Sequence, residues 1–374
     1  MTPEETLLAI RTELKSRFIE RDEVVDGALI ALLARQHVLL LGPPGTAKSM
    51  LAKALCAHLD DKRYFEWLLT KFTTPEEIFG PMSLAALEEG RYERVVEGKL
   101  PEAEISFLDE VFKASSAILN ALLTILNERA FHQGSTSRAV PLECLIGASN
   151  ELPEEDELGA LYDRFLLRFT VGYIQQDYRF ARLLKMSEDA GPPTTLGDAA
   201  LDHLRAKTRE ISVPDGVLGD VMEVRNRLNA AGVIASDRRY RQAIDVLRAA
   251  AVLEGRSEVT SSDLRWLEHV LWSDPEEIPK VAEVLGEVAT GFEEEARRLL
   301  VQAHEVDAYA KRTWSDGEAY SRAVLEAHTK LSAIHDRLQR MQSQTAERGK
   351  DTARIEQIAE DVERMMRSLI SAPN

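Results

Sequence analysis

The stretch LLLGPPGTAKSMLAKAL, from Leu39 to Leu55, joins a short apolar run to a glycine-rich turn and then to a helical segment. This order is typical of a phosphate-binding loop, in which backbone N–H groups and a helix N-terminus face phosphate oxygens. The usual pattern G-x-x-x-x-G-K-[ST] is broken once, because Ala47 stands where the second glycine belongs. We expect position 47 to begin the helix with a negative φ, where alanine is favourable. The loop is therefore predicted to bind nucleotide through Gly42, Pro43, Pro44, Gly45, Thr46, Ala47, Lys48 and Ser49.

Polar residues in the loop and after two later apolar runs supply the groups that nucleotide hydrolysis needs. Lys48 is predicted to reach the β- and γ-phosphates, and Ser49 to ligate Mg²⁺. The run ISFLDE ends in Asp109, expected to hold Mg²⁺ through water, and Glu110, expected to act as a general base on the attacking water. The run LIGASN ends in Asn150, suited to orienting that water or the γ-phosphate. The alternative interpretations are an ordinary glycine–proline turn, a solvated pair of acids and an asparagine in a turn.

Two arginine-containing segments offer cations for the phosphoryl group. The segment LYDRFLLRF supplies Arg164 and Arg168, either of which would stabilise charge on the transferring phosphoryl group or form a surface salt bridge. The segment SDRRYRQAI supplies Arg238, Arg239 and Arg241, one of which would contact the γ-phosphate if the segment is not simply a solvated helix face. The residues alone do not decide among these three.

The order of apolar runs predicts the architecture. Strands alternate with helices over the first ~170 residues, which favours a doubly wound parallel α/β sheet with helices on both faces. In such sheets ligands bind at the carboxyl ends of the strands. Strand signals stop after about position 175, and breaks at EDAGPPTTLGD and WSDPEEIP separate helical sections. We predict a nucleotide-binding domain at 1–187, an all-α domain at 188–275 and a C-terminal helical domain at 276–374.

Composition narrows the class of protein. The formal net charge is −17, which argues against a nucleic-acid-binding surface because such surfaces need Lys and Arg to neutralise phosphates. The two cysteines, Cys56 and Cys144, are far apart and suit a reducing cytoplasm. No apolar run reaches the roughly 18 residues that a membrane span needs, and the N-terminus is an amphipathic helix rather than a signal peptide. We therefore expect a cytoplasmic protein.

Several ordered blocks together resemble AAA+ ATPases of the MoxR group, and within it the RavA (regulatory ATPase variant A) branch. The blocks are LLGPPGTAKS, FTTPEEIFGPMSL, GRYERVVEGKLPEAEISFLDE, AILNALLTILNER, ASNELPE, ALYDRFLLR and SDRRYRQAI, and they cover nearly all of the first 275 residues. The resemblance implies Walker A and B roles for Lys48, Ser49, Asp109 and Glu110. It also implies sensor 1 at Asn150, an arginine finger for the neighbouring subunit at Arg164, and sensor 2 at Arg238. The alanine at position 47 resembles a habit of this branch.

The resemblance further implies ATP/ADP and Mg²⁺ as ligands, homo-hexameric rings, chaperone-like remodelling and a partner that carries a von Willebrand factor A domain. Residues 84–104 resemble the helix-2 insertion of this clade, and residues 131–142 resemble the hairpin before sensor 1; both elements contact partners near the ring pore. The better-known RavA proteins carry a β-rich insertion in their helical C-terminal region. Because 280–374 is predicted to be helical throughout, we expect that insertion to be absent, and docking to a lysine decarboxylase is not implied.

Other functions remain open from the sequence. The chain could be a nucleotide-gated scaffold that hydrolyses ATP slowly, a metal-chelatase-like subunit, or a DNA motor of the same clade, although the acidic charge disfavours the last. The C-terminal helices are either a partner-docking module or a bundle that pads the ring.

Overall fold

The computed structural model describes residues 1–134, 136–153, 156–175, 177–186, 193–289, 293–312, 317–347 and 352–370. The chain forms two compact units, one of Met1–Val217 with Val233–Ile278 and one of Leu218–Gly232 with Pro279–Asn374. The predicted boundary between positions 187 and 188 lies outside the described residues, and the three-domain division remains a prediction.

The first unit is built on a five-stranded parallel sheet in the order β2-β3-β6-β1-β7. Two further strands, β4 and β5, form a separate antiparallel hairpin. The strands are β1 His37–Leu41, β2 Tyr64–Leu68, β3 Ile105–Asp109, β4 Ala130–Gln133, β5 Thr136–Ala139, β6 Cys144–Ser149 and β7 Phe165–Thr170. Strands β1 and β6 are buried throughout, as expected for apolar runs in the interior of a parallel sheet.

Helices cover the sheet and form the rest of the chain. Helix α2 packs against β1 and β7, whereas α3 packs against β2 and β3. The helices are α1 Pro3–Arg17, α2 Asp22–Ala34, α3 Lys48–Ala57, α4 Pro75–Phe79, α5 Leu84–Glu88, α6 Ser116–Glu128, α7 Asp156–Tyr162, α8 Asp177–Lys185, α9 Asp198–Glu210, α10 Asp215–Ala230, α11 Asp237–Leu253, α12 Ile278–Ala289, α13 Glu293–Ala310, α14 Gly317–Glu347 and α15 Ala353–Ile370. Short 3₁₀ helices lie at Leu100–Glu102, Val111–Lys113, Ser261–His269 and Pro275–Glu277. The predicted parallel α/β sheet followed by helical sections is confirmed.

In its described residues the second unit consists of helices joined by short non-helical stretches, as predicted for 280–374. Helices α13, α14 and α15 bury an apolar core that includes Ala303, Leu331, Leu338, Ile355 and Val362. No strand occurs in the described part of this unit, and the absence of a β-rich insertion remains a prediction.

The strand register decides which polar residues meet. In β1 and its neighbours, Leu41 pairs with Ser149 of β6 and with Thr170 of β7. Strand β3 ends at Asp109 beside β6. The carboxyl ends of β1, β3 and β6 therefore share one edge of the sheet, hereafter the loop edge, from which the segment 42–49 emerges. The amino ends of β1 and β7, where His37 pairs with Phe165, lie at the opposite edge.

Candidate functional site

The segment 42–49 folds closely onto the loop edge. The N–H of Gly42 donates to the carbonyl of Ser149 at 3.0 Å, and a Cβ on Gly42 would lie 2.0 Å from the carbonyl oxygen of Val171. Only glycine fits there. The buried ammonium of Lys48 donates to the carbonyls of Gly42 and Pro43, both at 2.8 Å, and so closes the loop on itself.

Ala47 has a left-handed backbone, with φ 65° and ψ 24°, so the prediction of a negative φ at this position is wrong. The chain reverses at Ala47 before α3 begins at Lys48, and this reversal requires the conformation that the second glycine of the usual pattern supplies without strain. Gly45 also has a positive φ of 78°, and no atom lies within 4 Å of the Cβ position there. Thr46 is fixed by its hydroxyl, which donates to the Pro43 carbonyl at 3.0 Å.

The loop fits a bound phosphate. The ten-residue helix α3 starts without a side-chain cap, so its first N–H groups have no acceptor from the N-cap residue. The space above Gly45 is open, and Ser49 lies half-buried in the first turn of α3. Burial lowers the pKa of the Lys48 ammonium, while the nearby carboxylates of Asp109 and Glu110 raise it. Oriented N–H groups, a cation and an open concavity are what an anionic phosphate chain needs.

Asp109, Glu110 and Asn150 converge at the loop edge. The Asp109 carboxylate accepts from the Glu110 N–H at 3.0 Å. Both Glu110 oxygens have partners, since Asn150 Nδ2 donates to Oε1 at 2.9 Å and Lys113 Nζ lies 3.1 Å from Oε2. Glu110, directly after β3, has a positive φ of 52°, a left-handed conformation that is strained for a residue with a side chain. The structure thus brings together the loop, the two acids and the asparagine that the sequence singled out.

Two of the candidate arginines are structural. Arg168 is 1% exposed, and its guanidinium donates to the backbone carbonyls of Phe165, Tyr162 and Trp272. Arg239 is equally buried and donates to backbone carbonyls that include that of Val270. A guanidinium that is enclosed and bonded in this way has no face for a phosphoryl group. The interpretation of Arg168 as a phosphoryl-stabilising residue is therefore wrong.

Arg164 and Arg238 lie away from the loop edge. Arg164 precedes β7 and stands six positions before Thr170, which pairs with Leu41 at the start of the loop. At about 3.3 Å per residue this separation is about 20 Å, too far for an arginine side chain to bridge. Arg238 sits beside it, because both guanidinium groups approach the carboxylate of Asp163, at 3.9 Å and 3.8 Å. These two arginines cannot reach the loop of their own copy.

A cavity of about 520 Å³ lies between the start of α2, the end of β7 and the 3₁₀ helix Ser261–His269. Its lining includes Arg21, Thr170, His269 and Trp272. Arg21 lies close to both the cavity and the loop. It lines the cavity and donates to the Gly172 carbonyl, and its positive charge lowers the pKa of Lys48. Burial lowers the pKa of His269 to about 4. The volume suits a small organic ligand. Residues from separate elements line the cavity, so no local sequence pattern predicts it.

Sequence reasoning also missed Lys113 and Asp163. Lys113 follows Glu110 by three residues, within one turn of the 3₁₀ helix that begins there. Asp163 is adjacent to Arg164 in LYDRF. Proximity to a predicted site residue is the only signal that either residue offered.

The insertion and the hairpin contact each other. The insertion segment is tied by an antiparallel bridge between Met82 and Arg94, and Arg138 of β5 lies 2.8 Å from Glu102. The predicted hairpin is present as β4 and β5, with Ser135 outside the described residues. Leu84 and Tyr92 of the insertion are exposed, at 77% and 67%.

The described ranges contain neither a membrane-spanning helix nor a metal-ligand cluster. Every helix there is too short or too polar to cross a bilayer. Those residues also contain no cluster of three or more His, Cys, Asp or Glu side chains able to hold a metal ion. Cys56 and Cys144 are both free and buried.

Several known proteins are similar to this chain in sequence or fold. The family model described as the MoxR domain in MoxR-vWA-beta-propeller ternary systems matches residues 5–196, and an AAA lid domain matches residues 216–285. Two uncharacterised proteins of Methanocaldococcus jannaschii are similar, one 42% identical over 76% of this chain and 75% of the relative. The other is 37% identical over 95% of this chain and 96% of the relative.

More distant relatives agree with this result. Chaperone MoxR1 of Mycobacterium tuberculosis is 28% identical over 43% of each chain. The crystal structure of a candidate ATPase from Cytophaga hutchinsonii covers 76% of this chain and 94% of its own, with a TM-score of 0.61 at 17% identity, and so shares the fold. Together with the extent of the family match and the identity to the two archaeal relatives, the geometry at the loop edge leads to one conclusion: the chain belongs to the MoxR family of AAA+ ATPases.

Proposed function

We propose that this protein hydrolyses ATP to ADP and phosphate, with Mg²⁺, as a subunit of a hexameric ring that remodels a partner protein. The observation that carries the proposal is the convergence of Lys48, Asp109, Glu110 and Asn150 at the loop edge. Each of these groups has the chemistry of one step in phosphoryl transfer.

Each side chain at the loop edge has a separate task in this proposal. The loop N–H groups and the start of α3 bind the phosphate chain, and Lys48 exchanges its bonds to loop carbonyls for bonds to phosphate oxygens. Ser49 and Asp109 hold Mg²⁺, which when bound neutralises charge on the phosphate oxygens. Glu110 takes a proton from the attacking water, and Asn150 keeps the Glu110 carboxylate oriented through its 2.9 Å hydrogen bond. The cavity beside Arg21 holds the nucleoside.

The position of Arg164 and Arg238 supports assembly into a ring. Because Arg164 lies about 20 Å from the start of its own loop and Arg238 lies beside it, both can serve only a nucleotide held by a neighbouring copy. A site of which half comes from each of two copies closes when copies are arranged in a ring. The hexameric state, the finger role of Arg164 and the sensor 2 role of Arg238 are parts of the proposal.

The biological setting is proposed at the level of the RavA branch. The matching family model is named for systems that contain a von Willebrand factor A protein, and we take a protein of that type as the partner. The insertion and the hairpin, joined through Arg138 and Glu102, are the surface offered to it, with Leu84 and Tyr92 exposed. A cytoplasmic location is supported by the two free cysteines.

One observation favours a second function, a nucleotide-gated scaffold that turns over slowly. Both oxygens of Glu110 are already engaged, one by Asn150 and one by Lys113. A general base held in this way has to leave an ion pair before it can take a proton. Tight ATP binding with little hydrolysis would favour this function over the motor.

The test is steady-state ATP hydrolysis with Mg²⁺ over a range of protein concentrations, with Glu110→Gln as the inactive control. Turnover per subunit that rises with concentration is expected. Lys48→Ala and Arg164→Ala are then mixed, since a mixed ring pairs an intact loop with an intact arginine. Recovery of activity in the mixture supports shared sites, whereas full activity of Arg164→Ala alone contradicts them.

A further inference from the structure

Asp163 is anchored to a buried arginine at the edge of the sheet opposite the loop. Its Oδ1 lies 3.2 Å from Nη1 of Arg239. Arg239, 3% exposed, is itself fixed by donating to the carbonyls of Val270 and Leu166, each at 2.8 Å. The Asp163 carboxylate is therefore held to the backbone of two elements by a guanidinium that cannot move independently.

The second oxygen of Asp163 faces two arginines that it does not fully bind. Nη1 of Arg164 lies 3.9 Å and Nη1 of Arg238 lies 3.8 Å from Oδ2. Both distances exceed those of a hydrogen bond, yet both are short enough for charge attraction. The two guanidinium groups are thus gathered at one oxygen while their N–H donors are left available.

The cluster carries more positive than negative charge. Three guanidinium groups surround one carboxylate, and Nε of Arg164 is buried without a hydrogen-bond partner among the described residues. A buried donor without an acceptor is costly. An anion that approached Arg164 and Arg238 would balance this excess of positive charge and accept from their Nη groups.

We propose that Asp163 is a positioning residue that holds Arg164 and Arg238 as a pair for the phosphate of a neighbouring copy's nucleotide. The inference rests on the proposed function. Without the carboxylate, the two guanidinium groups repel each other and lose their common anchor. Because the pair serves the neighbour, a defect at Asp163 leaves the copy's own loop edge intact, about 20 Å away.

The experiment compares Asp163→Asn with the wild-type full-length protein. We expect kcat to fall roughly 10²-fold, the loss that follows a displacement of ~1 Å in a reacting site. The affinity for a fluorescent ATP analogue should be unchanged, because Lys48 and the loop are untouched. Asp245→Asn is the matched control, since Asp245 is 41% exposed against 37% for Asp163 and pairs with Arg248 on α11. It should keep the wild-type kcat.

Mixing experiments separate positioning from general damage. Asp163→Asn mixed with Lys48→Ala should regain activity, because the second variant supplies an intact arginine pair to an intact loop. Asp163→Asn mixed with Arg164→Ala should stay inactive, since both lack the same half of the site. A kcat that is unchanged in Asp163→Asn overturns the inference. So does failure of Lys48→Ala to rescue Asp163→Asn while it rescues Arg164→Ala.

Failure of the proposed function looks different. Then the wild type does not hydrolyse ATP, or Lys48→Ala fails to rescue Arg164→Ala, and the inference about Asp163 is overturned together with it. If Asp163→Asn shows no cooperative unfolding, Asp163→Glu decides, because it keeps the charge but displaces the carboxylate. A lowered kcat with unchanged nucleotide affinity then supports positioning, and a wild-type kcat overturns it.

Discussion

Replacing Ala47 with glycine is expected to stabilise the first unit by about 0.5–1 kcal/mol. The left-handed backbone at Ala47, with φ 65°, costs an L-residue with a Cβ roughly 1–2 kcal/mol. Glycine adopts it freely, but its greater freedom in the unfolded chain offsets roughly 0.4–1 kcal/mol of this gain. Conformational strain is the larger of the two effects, so the net change is a gain.

The measurement is chemical unfolding of the nucleotide-free protein, followed by tryptophan fluorescence. Trp67, Trp266 and Trp272 all lie in the first unit, so the signal reports mainly on it. The unit contains about 260 residues, for which ~2.1 cal/mol/K per residue converts the gain to a rise of about 1–2 °C in Tm. Gly45→Ala is the matched control, since Gly45 has φ 78° and open space around the Cβ position.

The two substitutions should change the free energy of unfolding in opposite directions. Gly45→Ala introduces the strain that Ala47→Gly removes, and no steric clash adds to it. If Ala47→Gly lowered stability, the methyl group of Ala47 would have to contribute packing that exceeds the strain. That result would refute the argument that the left-handed backbone at position 47 strains the alanine.

Four further predictions follow from side-chain contacts. Glu110→Gln should lower kcat by about 10²–10⁴-fold and keep ATP binding, as shown by turnover and nucleotide titration, because it removes the base but not the loop. Lys113→Ala should raise kcat, because it removes the ion pair that holds Glu110 in place. The expected increase is up to about fivefold, which corresponds to the ~1 kcal/mol of one exposed ion pair. A lower kcat would contradict the idea that Lys113 restrains Glu110. Arg168→Met should destabilise the first unit by about 3 kcal/mol in denaturant unfolding, because three buried carbonyls lose their charged donor, and a change below ~1 kcal/mol would contradict this. As pH falls from 7 to 5, His269 is protonated in the unfolded chain, where its pKa is about 6.5. In the folded protein its pKa is about 4, so it stays neutral at pH 5. Protonation therefore favours the unfolded chain, and this histidine lowers the free energy of unfolding by about 2 kcal/mol at pH 5. His269→Phe should abolish that part of the pH dependence, measured as the difference between the two unfolding curves.

The loop edge could be predicted because its chemistry follows from local sequence and one general rule. Asp109, Glu110 and Asn150 each end an apolar run, and parallel strands bring such ends to the same edge. The sheet could be predicted in the same way, since apolar runs such as HVLLL form strands that are buried over their full length. Nothing beyond alternation of strands and helices was needed to place these residues together.

Other features depend on contacts that sequence does not reveal. The φ of Ala47 is set by the chain reversal between β1 and α3, whereas helix propensity predicted a negative φ there. The roles of Arg238 and Arg239 are opposite although they are neighbours, because a helix turns adjacent side chains by about 100°. Arg239 donates to the carbonyl of Val270, whereas the side chain of Arg238 remains 41% exposed. Only packing against the sheet decides which is which.

The strand length between the two edges has a kinetic consequence. Arg164 and the start of the loop are separated by about 20 Å, so a lone copy contains the loop and the proposed base Glu110 but cannot bring the proposed finger Arg164 to its own loop. An arginine in that position contributes about 10³–10⁵ to the rate in other nucleotide-hydrolysing proteins. Dilution below the assembly threshold should therefore leave ATP binding unchanged while turnover falls by a factor of that size. A protein whose own arginines completed the site would keep both ATP binding and turnover on dilution. This contrast separates an assembled motor from a self-sufficient ATPase, and it does not require identification of the partner.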